Sequence, residues 1–195
     1  MVICFFGDSL VNGTGDSACL GWAGRICVPL MASGRTLTYY NLGVRKQATR
    51  EILPRWEGEF EQRRLEGFES RLVFAFGTAD TAILDGRRHV PLDETRDNAH
   101  AILSRATGLA PVLFVGPPPV ADESHTARNR EINSVLGTVC AELGVPYLDV
   151  FSRLAASDGY LQDVRRNDGV HPTGFGYGLI SEMVSGWPGW QEWFV

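Results

Sequence analysis

The sequence lacks the patterns that would assign it to several common classes of protein. Its net charge is −5 and its basic residues form only short clusters, which argues against a general nucleic-acid-binding surface and against binding to acidic membranes. No apolar run approaches the roughly 20 residues that span a bilayer. The first residues show neither a basic segment nor a small-residue cleavage pattern. The sequence therefore predicts a cytoplasmic protein without a membrane span.

Metal-binding and nucleotide-binding patterns are also missing. The four cysteines (Cys4, Cys19, Cys27 and Cys140) include no C-x-x-C pair, and we expect free buried thiols. The glycine-rich stretch at residues 5–15, FFGDSLVNGTG, has neither the G-x-x-x-x-G-K-[ST] spacing of a phosphate loop nor the G-x-G-x-x-G spacing of a dinucleotide site. The sequence thus predicts no cofactor and no metal site.

What the chain does contain is an alternation of short apolar runs and longer stretches with helical spacing. The runs are rich in β-branched and aromatic residues, as strands buried on both faces are, and lie at 2–6, 37–42, 72–76, 111–116 and 146–151. The helical stretches lie at 21–33, 49–66, 93–108, 126–144 and 173–187. This order predicts a single α/β domain over residues 1–195. Its fold would be a flavodoxin-like, three-layer αβα sandwich around a five-stranded parallel sheet.

Polar residues that follow the strands are candidates for a functional site, because such sites lie at the carboxyl ends of parallel strands. Near the end of the chain, Asp168 and His171 are three residues apart, with Gly169 between them and Pro172 after them. A tight turn of this kind can hold the carboxylate against one imidazole nitrogen and leave the other free to accept a proton. A capping aspartate and a surface histidine are the alternative.

Ser9 follows the first strand and admits two interpretations. It can be part of a helix cap, since Asp8 or Ser9 at the start of a helix is chemically sensible. It can also be a nucleophile, because a serine hydroxyl attacks when an adjacent base removes its proton, and His171 is a candidate base. The pairing of Asp168 with His171 favours the nucleophile.

Four segments in order carry a family resemblance: GDSL at 7–10, NLGVRKQATREI at 41–52, FGTAD at 76–80 and DGVHP at 168–172. They resemble the blocks of the SGNH/GDSL hydrolases, and the resemblance spans almost the whole chain. It implies a flavodoxin-like fold and hydrolysis of esters or thioesters, including lipids and acetylated sugars. It also implies Ser9 as nucleophile, His171 as base and Asp168 as the residue that orients the histidine.

Two departures fall in the block positions that form the family's oxyanion hole. Ala79 stands where the third block has asparagine, and Lys46 stands where the second block has glycine. Lys46 can still supply the backbone N–H of the second block, and its ammonium group or the guanidinium of Arg45 could partly replace the missing amide. Because loss of one oxyanion donor costs about 10²–10³-fold in turnover, we expect a working but slow enzyme.

The function expected from the sequence is therefore a GDSL-type serine esterase or lipase. It would act on a small-molecule carboxylic ester with a small or medium acyl group, a thioester or an acetylated sugar. A catalytically weak or inactive binding module on the same fold is the alternative, because Ala79 leaves the oxyanion hole incomplete. The sequence predicts no nucleic-acid partner and leaves homo-oligomerisation open. The remaining histidines, His89, His100 and His125, are expected at the surface.

Overall fold

Five parallel strands form the central sheet of the protein, for which a computed structural model describes residues 1–195. The sheet runs in the order β2-β1-β3-β6-β7, and its strands are β1 (Val2–Gly7), β2 (Thr38–Gly43), β3 (Ser70–Ala75), β6 (Val112–Val115) and β7 (Tyr147–Leu148). Two further strands, β4 (Ile83–Leu84) and β5 (Arg87–Arg88), form a separate antiparallel hairpin. The predicted five-stranded parallel sheet is confirmed.

Helices cover both faces of the sheet. They are α1 (Ser9–Asn12), α2 (Gly21–Ala32), α3 (Thr49–Glu61), α4 (Leu92–Thr107), α5 (Glu123–Glu142), α6 (Phe151–Ala155), α7 (Asp158–Arg166), α8 (Gly174–Ser185) and α9 (Pro188–Gln191), followed by a 3₁₀ turn at Glu192–Phe194. Apolar residues of α3, α4 and α5 fill one hydrophobic cluster, and those of α2, α7 and α8 fill the other. The three-layer αβα sandwich predicted from the sequence is therefore present. No helix combines the length and the apolar composition needed to cross a membrane.

The two core clusters rest on aromatic contacts with the central strands. Phe6 stacks on Phe74 across β1 and β3 with ring centroids 5.5 Å apart, and Trp56 of α3 meets Phe74 edge to face at the same distance. On the other face, Phe5 contacts both Trp22 and Trp190. Trp190 is 3% exposed and places the tryptophan-rich end of the chain in this part of the core.

The fifth apolar run is shorter as a strand than predicted. Only Tyr147 and Leu148 pair with β6, and Phe151 already begins α6. The carboxylate of Asp149 accepts hydrogen bonds from the backbone N–H of Ser152 at 3.1 Å and from its hydroxyl at 2.6 Å. This local bonding stabilises the start of a helix where the apolar pattern indicated a strand.

The hairpin β4–β5 and the helices α6, α7 and α9 were not predicted either. The hairpin β4–β5 turns at Asp85 and Gly86, which both have positive φ angles, a combination typical of tight two-residue hairpin turns. Helices α6 and α7 occupy the segment between β7 and Asp168, for which no regular structure was predicted.

Cys19 is exposed, so the expectation of buried thiols holds only for the other three cysteines.

Close packing between β2 and α1 sets the position of the first helix. A Cβ atom on Gly43 would lie 2.3 Å from the backbone nitrogen of Asn12 and 2.7 Å from the carbonyl oxygen of Asp8. The Asn41 side chain strengthens this contact, since its amide donates to the carbonyl of Val11 at 2.8 Å. Only glycine at position 43 allows α1 to lie this close to the sheet.

We predict that Gly43→Ala lowers the free energy of unfolding by at least 2 kcal/mol, because backbone atoms on the opposing helix must move away from the new methyl group. Gly178→Ala is a matched control, since it lies inside α8 with no atom within 4 Å of its Cβ position. This control should leave stability unchanged or raise it by about 0.5–1 kcal/mol. Urea unfolding of the two variants measures the difference, and equal stabilities would contradict the tight contact.

Candidate active site

Ser9 is presented at the point where the central strand ends and a helix begins. Gly7 is the last residue of β1, and Asp8 caps α1 by accepting a hydrogen bond from the backbone N–H of Leu10 at 2.8 Å. Ser9 is the first residue of that helix and is 9% exposed. Asp8 is therefore the cap, which leaves the hydroxyl of Ser9 available for another partner.

That partner is His171, which is 162 residues away along the chain. The Nε2 atom of His171 lies 2.7 Å from the Oγ atom of Ser9, and its Nδ1 atom lies 2.6 Å from Oδ2 of Asp168. The structure thus joins the three residues that the sequence analysis singled out into one chain of hydrogen bonds. His171 is buried, whereas the carboxylate of Asp168 is partly exposed.

A tight turn holds Asp168 against the histidine. Oδ1 of Asp168 accepts the backbone N–H groups of Val170 at 3.0 Å and of His171 at 2.8 Å, and Gly169 has a φ angle of +84°. Partial desolvation acts to raise the pKa of Asp168, but hydrogen bonds from His171 and Val170 outweigh it and lower this pKa to about 2. The ionised carboxylate favours the tautomer with a proton on Nδ1, so Nε2 can accept the hydroxyl proton of Ser9.

Lys46 lies beside this group in a strained backbone conformation. It is the third residue of a β-turn closed by a hydrogen bond from the Gln47 N–H to the Val44 carbonyl at 3.2 Å, and its φ angle is +71°. Glycine is the favoured residue at this position of such turns, because a side chain there costs about 1 kcal/mol or more. The backbone N–H of Lys46 donates to no other backbone group.

Arg55 of α3 holds the turn in place. Its guanidinium donates to the side-chain oxygen of Gln47 at 2.5 Å and to the carbonyl of Gly7 at 3.2 Å. The turn that carries Arg45 and Lys46 is thereby connected to the end of β1. No sequence motif points to this connection, because Arg55 lies inside a helix and belongs to none of the four segments.

Ala79 faces the same site from the loop after β3. The next residue, Asp80, is fully buried and accepts hydrogen bonds from the backbone and hydroxyl of Thr49 and from the hydroxyl of Thr95. Burial raises the pKa of Asp80, although these hydrogen bonds oppose the rise. Asp80 thus fixes the loop at Ala79 against the start of α3, while Ala79 contributes only a methyl group.

Two histidines that were expected at the surface contact this loop instead. Nδ1 of His89 lies 3.1 Å from the carbonyl oxygen of Ala79, and Nε2 of His125 lies 3.2 Å from the carbonyl oxygen of Thr78. His125 belongs to the first turn of α5 and not to a loop, and both side chains are half-buried. The prediction was wrong for these two because the β4–β5 hairpin and α5 fold over the loop, whereas His100 is exposed as expected.

These groups surround one open cleft of about 400 Å³. Its lining includes all the predicted site residues except Asp168, which lies behind His171. The lining residues are Asp8, Ser9, Arg45, Lys46, Thr78, Ala79, Ala82, Leu84, His89, His125, Val170 and His171. The cleft is large enough for a small-molecule ester next to the Ser9 hydroxyl.

A model of the GDSL-like lipase/acylhydrolase family matches residues 5–179 of the chain. The chain belongs to this family. The match includes Ser9, Asp168 and His171, and the resemblance stated from the four sequence segments is confirmed. The expectation of a carboxylic ester hydrolase agrees with this membership.

Other proteins are similar to this chain in sequence or in structure. A GDSL esterase/lipase of Arabidopsis thaliana is 24% identical, and the match spans 56% of this chain but only 55% of that protein. A lipase/acylhydrolase from Enterococcus faecalis has a TM-score of 0.77 at 23% identity, covering 94% of this chain and 93% of the other. An acetylxylan esterase from Geobacillus stearothermophilus has a TM-score of 0.75 at 15% identity, covering 96% and 95%. At these identities, the structural matches show a shared fold.

A buried acid, Asp8, directly precedes Ser9 in the chain. Asp8 is 2% exposed, and its burial raises its pKa to about 7, with the nearby charge of Asp80 adding to the rise. Between about pH 4 and pH 7 the folded GDSL-like chain therefore keeps a proton that the unfolded chain releases. The contribution of Asp8 to stability is fully present below this window and is lost as the pH rises through it.

We predict that the free energy of unfolding of the wild type falls by about 3–4 kcal/mol between pH 4 and pH 8. In Asp8→Asn this fall should be absent, because asparagine keeps the capping oxygen but does not ionise. Urea unfolding of wild type and variant across this range provides the measurement. Asp85→Asn, which changes an exposed carboxylate in the hairpin turn, should leave the pH dependence as in the wild type. Parallel pH profiles for wild type and Asp8→Asn would contradict the buried acid.

Proposed function

We propose that the chain is a serine hydrolase that cleaves carboxylic esters. Ser9 is the nucleophile, His171 the general base and Asp168 the residue that orients and stabilises the imidazole. The observation that carries the proposal is the pair of hydrogen bonds from Ser9 Oγ to His171 and from His171 to Asp168, at 2.7 Å and 2.6 Å, at the edge of an open cleft. Membership of the GDSL-like lipase/acylhydrolase family supports the same chemistry.

The reaction proceeds in two halves. Ser9 Oγ attacks the ester carbonyl while His171 Nε2 takes the hydroxyl proton, and the carbonyl oxygen becomes an oxyanion. The C–O bond to the alcohol then breaks, and His171 returns the proton to the departing alcohol, leaving an acyl-Ser9 ester. A water molecule attacks this ester with His171 again as base, which releases the carboxylic acid and restores the Ser9 hydroxyl.

The oxyanion would be stabilised by the backbone N–H groups of Ser9 and Lys46. The Ser9 N–H lies at the start of α1, where a helix leaves its first donors without partners inside the helix. The Lys46 N–H has no backbone acceptor of its own. Because Ala79 supplies no side-chain donor, we propose that the ammonium of Lys46 or the guanidinium of Arg45 provides part of the missing stabilisation.

The substrate would be an ester with a small or medium acyl group, a thioester or an acetylated sugar. The cleft of about 400 Å³ suits such a compound, and the acetylxylan esterase of similar fold has a substrate of this class. A weak or inactive binding module remains the second candidate. The observation that favours it is the alanine at position 79, which leaves the proposed oxyanion site with one donor fewer.

We predict that Ser9→Ala lowers kcat for p-nitrophenyl acetate by at least 10³-fold, because no other hydroxyl replaces the nucleophile. The release of p-nitrophenol measures the rate, and labelling by a serine-directed phosphonate reports Ser9 itself.

Ser17→Ala is the matched control, since Ser17 is exposed in the loop after α1 and should leave the rate unchanged. A wild-type protein without Ser9-dependent turnover and without phosphonate labelling would favour the binding module.

A side-chain amide at position 79 should increase the rate. We predict that Ala79→Asn raises kcat by about tenfold or more, because it adds an oxyanion donor whose loss in other enzymes costs about 10²–10³-fold. KM should change little, since the new hydrogen bond forms mainly in the transition state. A neutral or harmful substitution would mean that the oxyanion lies elsewhere in the cleft.

Lys46 can be tested by separating its backbone from its side chain. Lys46→Gly keeps the N–H and removes the strain at φ +71°, whereas Lys46→Ala keeps the strain. If the ammonium stabilises the oxyanion, kcat should fall several-fold in both variants. An unchanged kcat in both, with an inactive Ser9→Ala, would show that the ammonium does not contribute.

A further inference from the structure

Two cationic side chains at the entrance of the cleft have no acidic partner. Arg45 and Lys46 are the two central residues of the turn at 44–47, and both are exposed. No carboxylate lies within 4.0 Å of either side chain, although many other arginines of the chain form ion pairs. Lys46 is also the only lysine among the 195 residues. The turn therefore presents two uncompensated positive charges to whatever enters the cleft.

The lining of the rest of the cleft contains no exposed carboxylate. Asp8 is the only carboxylate in the lining of the cleft, and this residue is 2% exposed. Asp168 lies behind His171 and accepts hydrogen bonds from it. The cleft entrance is thus positive in a chain whose net charge is −5, and the contrast indicates a local arrangement of charge and not a general basic surface.

The turn is open on its outer side. Arg45 borders both the Ser9 cleft and a neighbouring concavity of about 660 Å³, which is lined by the segment from Asn12 to Asp16 and by Cys19, Gly43 and Val44. Asp16, the only acid in that concavity, is buried and paired with Arg25 at 2.8 Å. The larger, more polar part of an ester could extend across this open side while its acyl group lies next to Ser9.

The backbone at Lys46 provides an independent indication. Its φ of +71° would cost glycine little, and glycine would supply the same backbone N–H. A backbone role therefore does not explain the presence of a lysine at a strained position next to a nucleophile. A function of the ammonium group does explain this lysine, because strained backbone conformations are common at ligand-binding sites.

We propose that Arg45 and Lys46 form an anion subsite, and that the preferred substrates are esters whose alcohol part carries a carboxylate or another anionic group. This inference rests on the proposed function, because it names the substrate class of the Ser9 site. Arginine can bind a carboxylate through two parallel N–H groups, and lysine adds a mobile point charge.

The first test compares two esters of matched shape. In 4-acetoxybenzoate the alcohol part is anionic, and in 4-acetoxybenzamide it is neutral, while the acetyl group is the same. We expect the ratio of their kcat/KM values to fall about threefold to tenfold in an Arg45→Gln/Lys46→Gln double variant, as befits exposed charges in water. High salt should reduce the ratio in the wild type. Comparison of 4-acetoxybenzenesulfonate with its sulfonamide separates charge in general from recognition of carboxylate.

Arg153→Gln is the control, because this exposed arginine of α6 lies outside the cleft and its loss changes the net charge in the same sense. An unchanged ratio in the double variant would overturn the subsite. If neither ester shows Ser9-dependent turnover, the proposed function fails, and the subsite is then decided by binding.

Binding is measured in Ser9→Ala with ¹³C-methyl groups attached by reductive methylation, which labels only Lys46 and the amino terminus. Methylation retains the positive charge of both amines. Addition of 4-hydroxybenzoate should shift the Lys46 signal in a saturable manner, several-fold more tightly than 4-hydroxybenzamide, and Arg45→Gln should weaken this binding. The amino-terminal signal is the internal control. A Lys46 signal that responds equally to both compounds would contradict the proposal.

Discussion

The position of the Ser9 hydroxyl depends on the fixed end of β1. This strand pairs with β2 on one side and with β3 on the other, and all six of its residues are buried. At its last residue, a Cβ atom on Gly7 would lie 1.9 Å from the carbonyl oxygen of Ala75, so the backbone has no room to shift. Asp8 and Ser9 follow directly, with α1 pressed against Gly43 of β2. The position of Ser9 thus depends on a strand that is fully buried and paired on both sides.

The histidine side of the site is built differently. His171 follows a segment of two helices and a turn, and its ring is held by Asp168 at Nδ1 and by Ser9 at Nε2. The Asn167 side chain adds a hydrogen bond to the carbonyl of His171 at 2.9 Å. Ser9 is thus positioned by the sheet, whereas His171 is positioned mainly by its own turn. A Cβ atom on Gly15, in the loop after α1, would lie 3.3 Å from Cβ of His171, so the two segments also pack directly against each other.

The sequence predicted the regular parts of the molecule because their physical signals are local. Strands buried on both faces produce continuous apolar runs, and the Asp168–His171 turn follows from its glycine and its spacing. The cleft walls could not be predicted in this way. His89 and His125 reach Ala79 and Thr78 only because a hairpin and α5 fold over that loop. Only Tyr147 and Leu148 of the strand predicted at 146–151 join the sheet, because the side chain of Asp149 bonds Ser152 and stabilises the start of a helix.

Lys46 is a residue whose conformation and surroundings could not be predicted from the sequence. The sequence identified it as a departure from glycine, but only the structure gives its positive φ, its unpaired charge and its place at the cleft entrance. The fold keeps the turn in this conformation through Arg55, which bonds both Gln47 and the end of β1. The strain at Lys46 is thereby balanced by contacts outside the turn, so the side chain is not needed to maintain the loop. Its positive charge would therefore stabilise an anion in the cleft, either a developing oxyanion or an anionic group on the substrate.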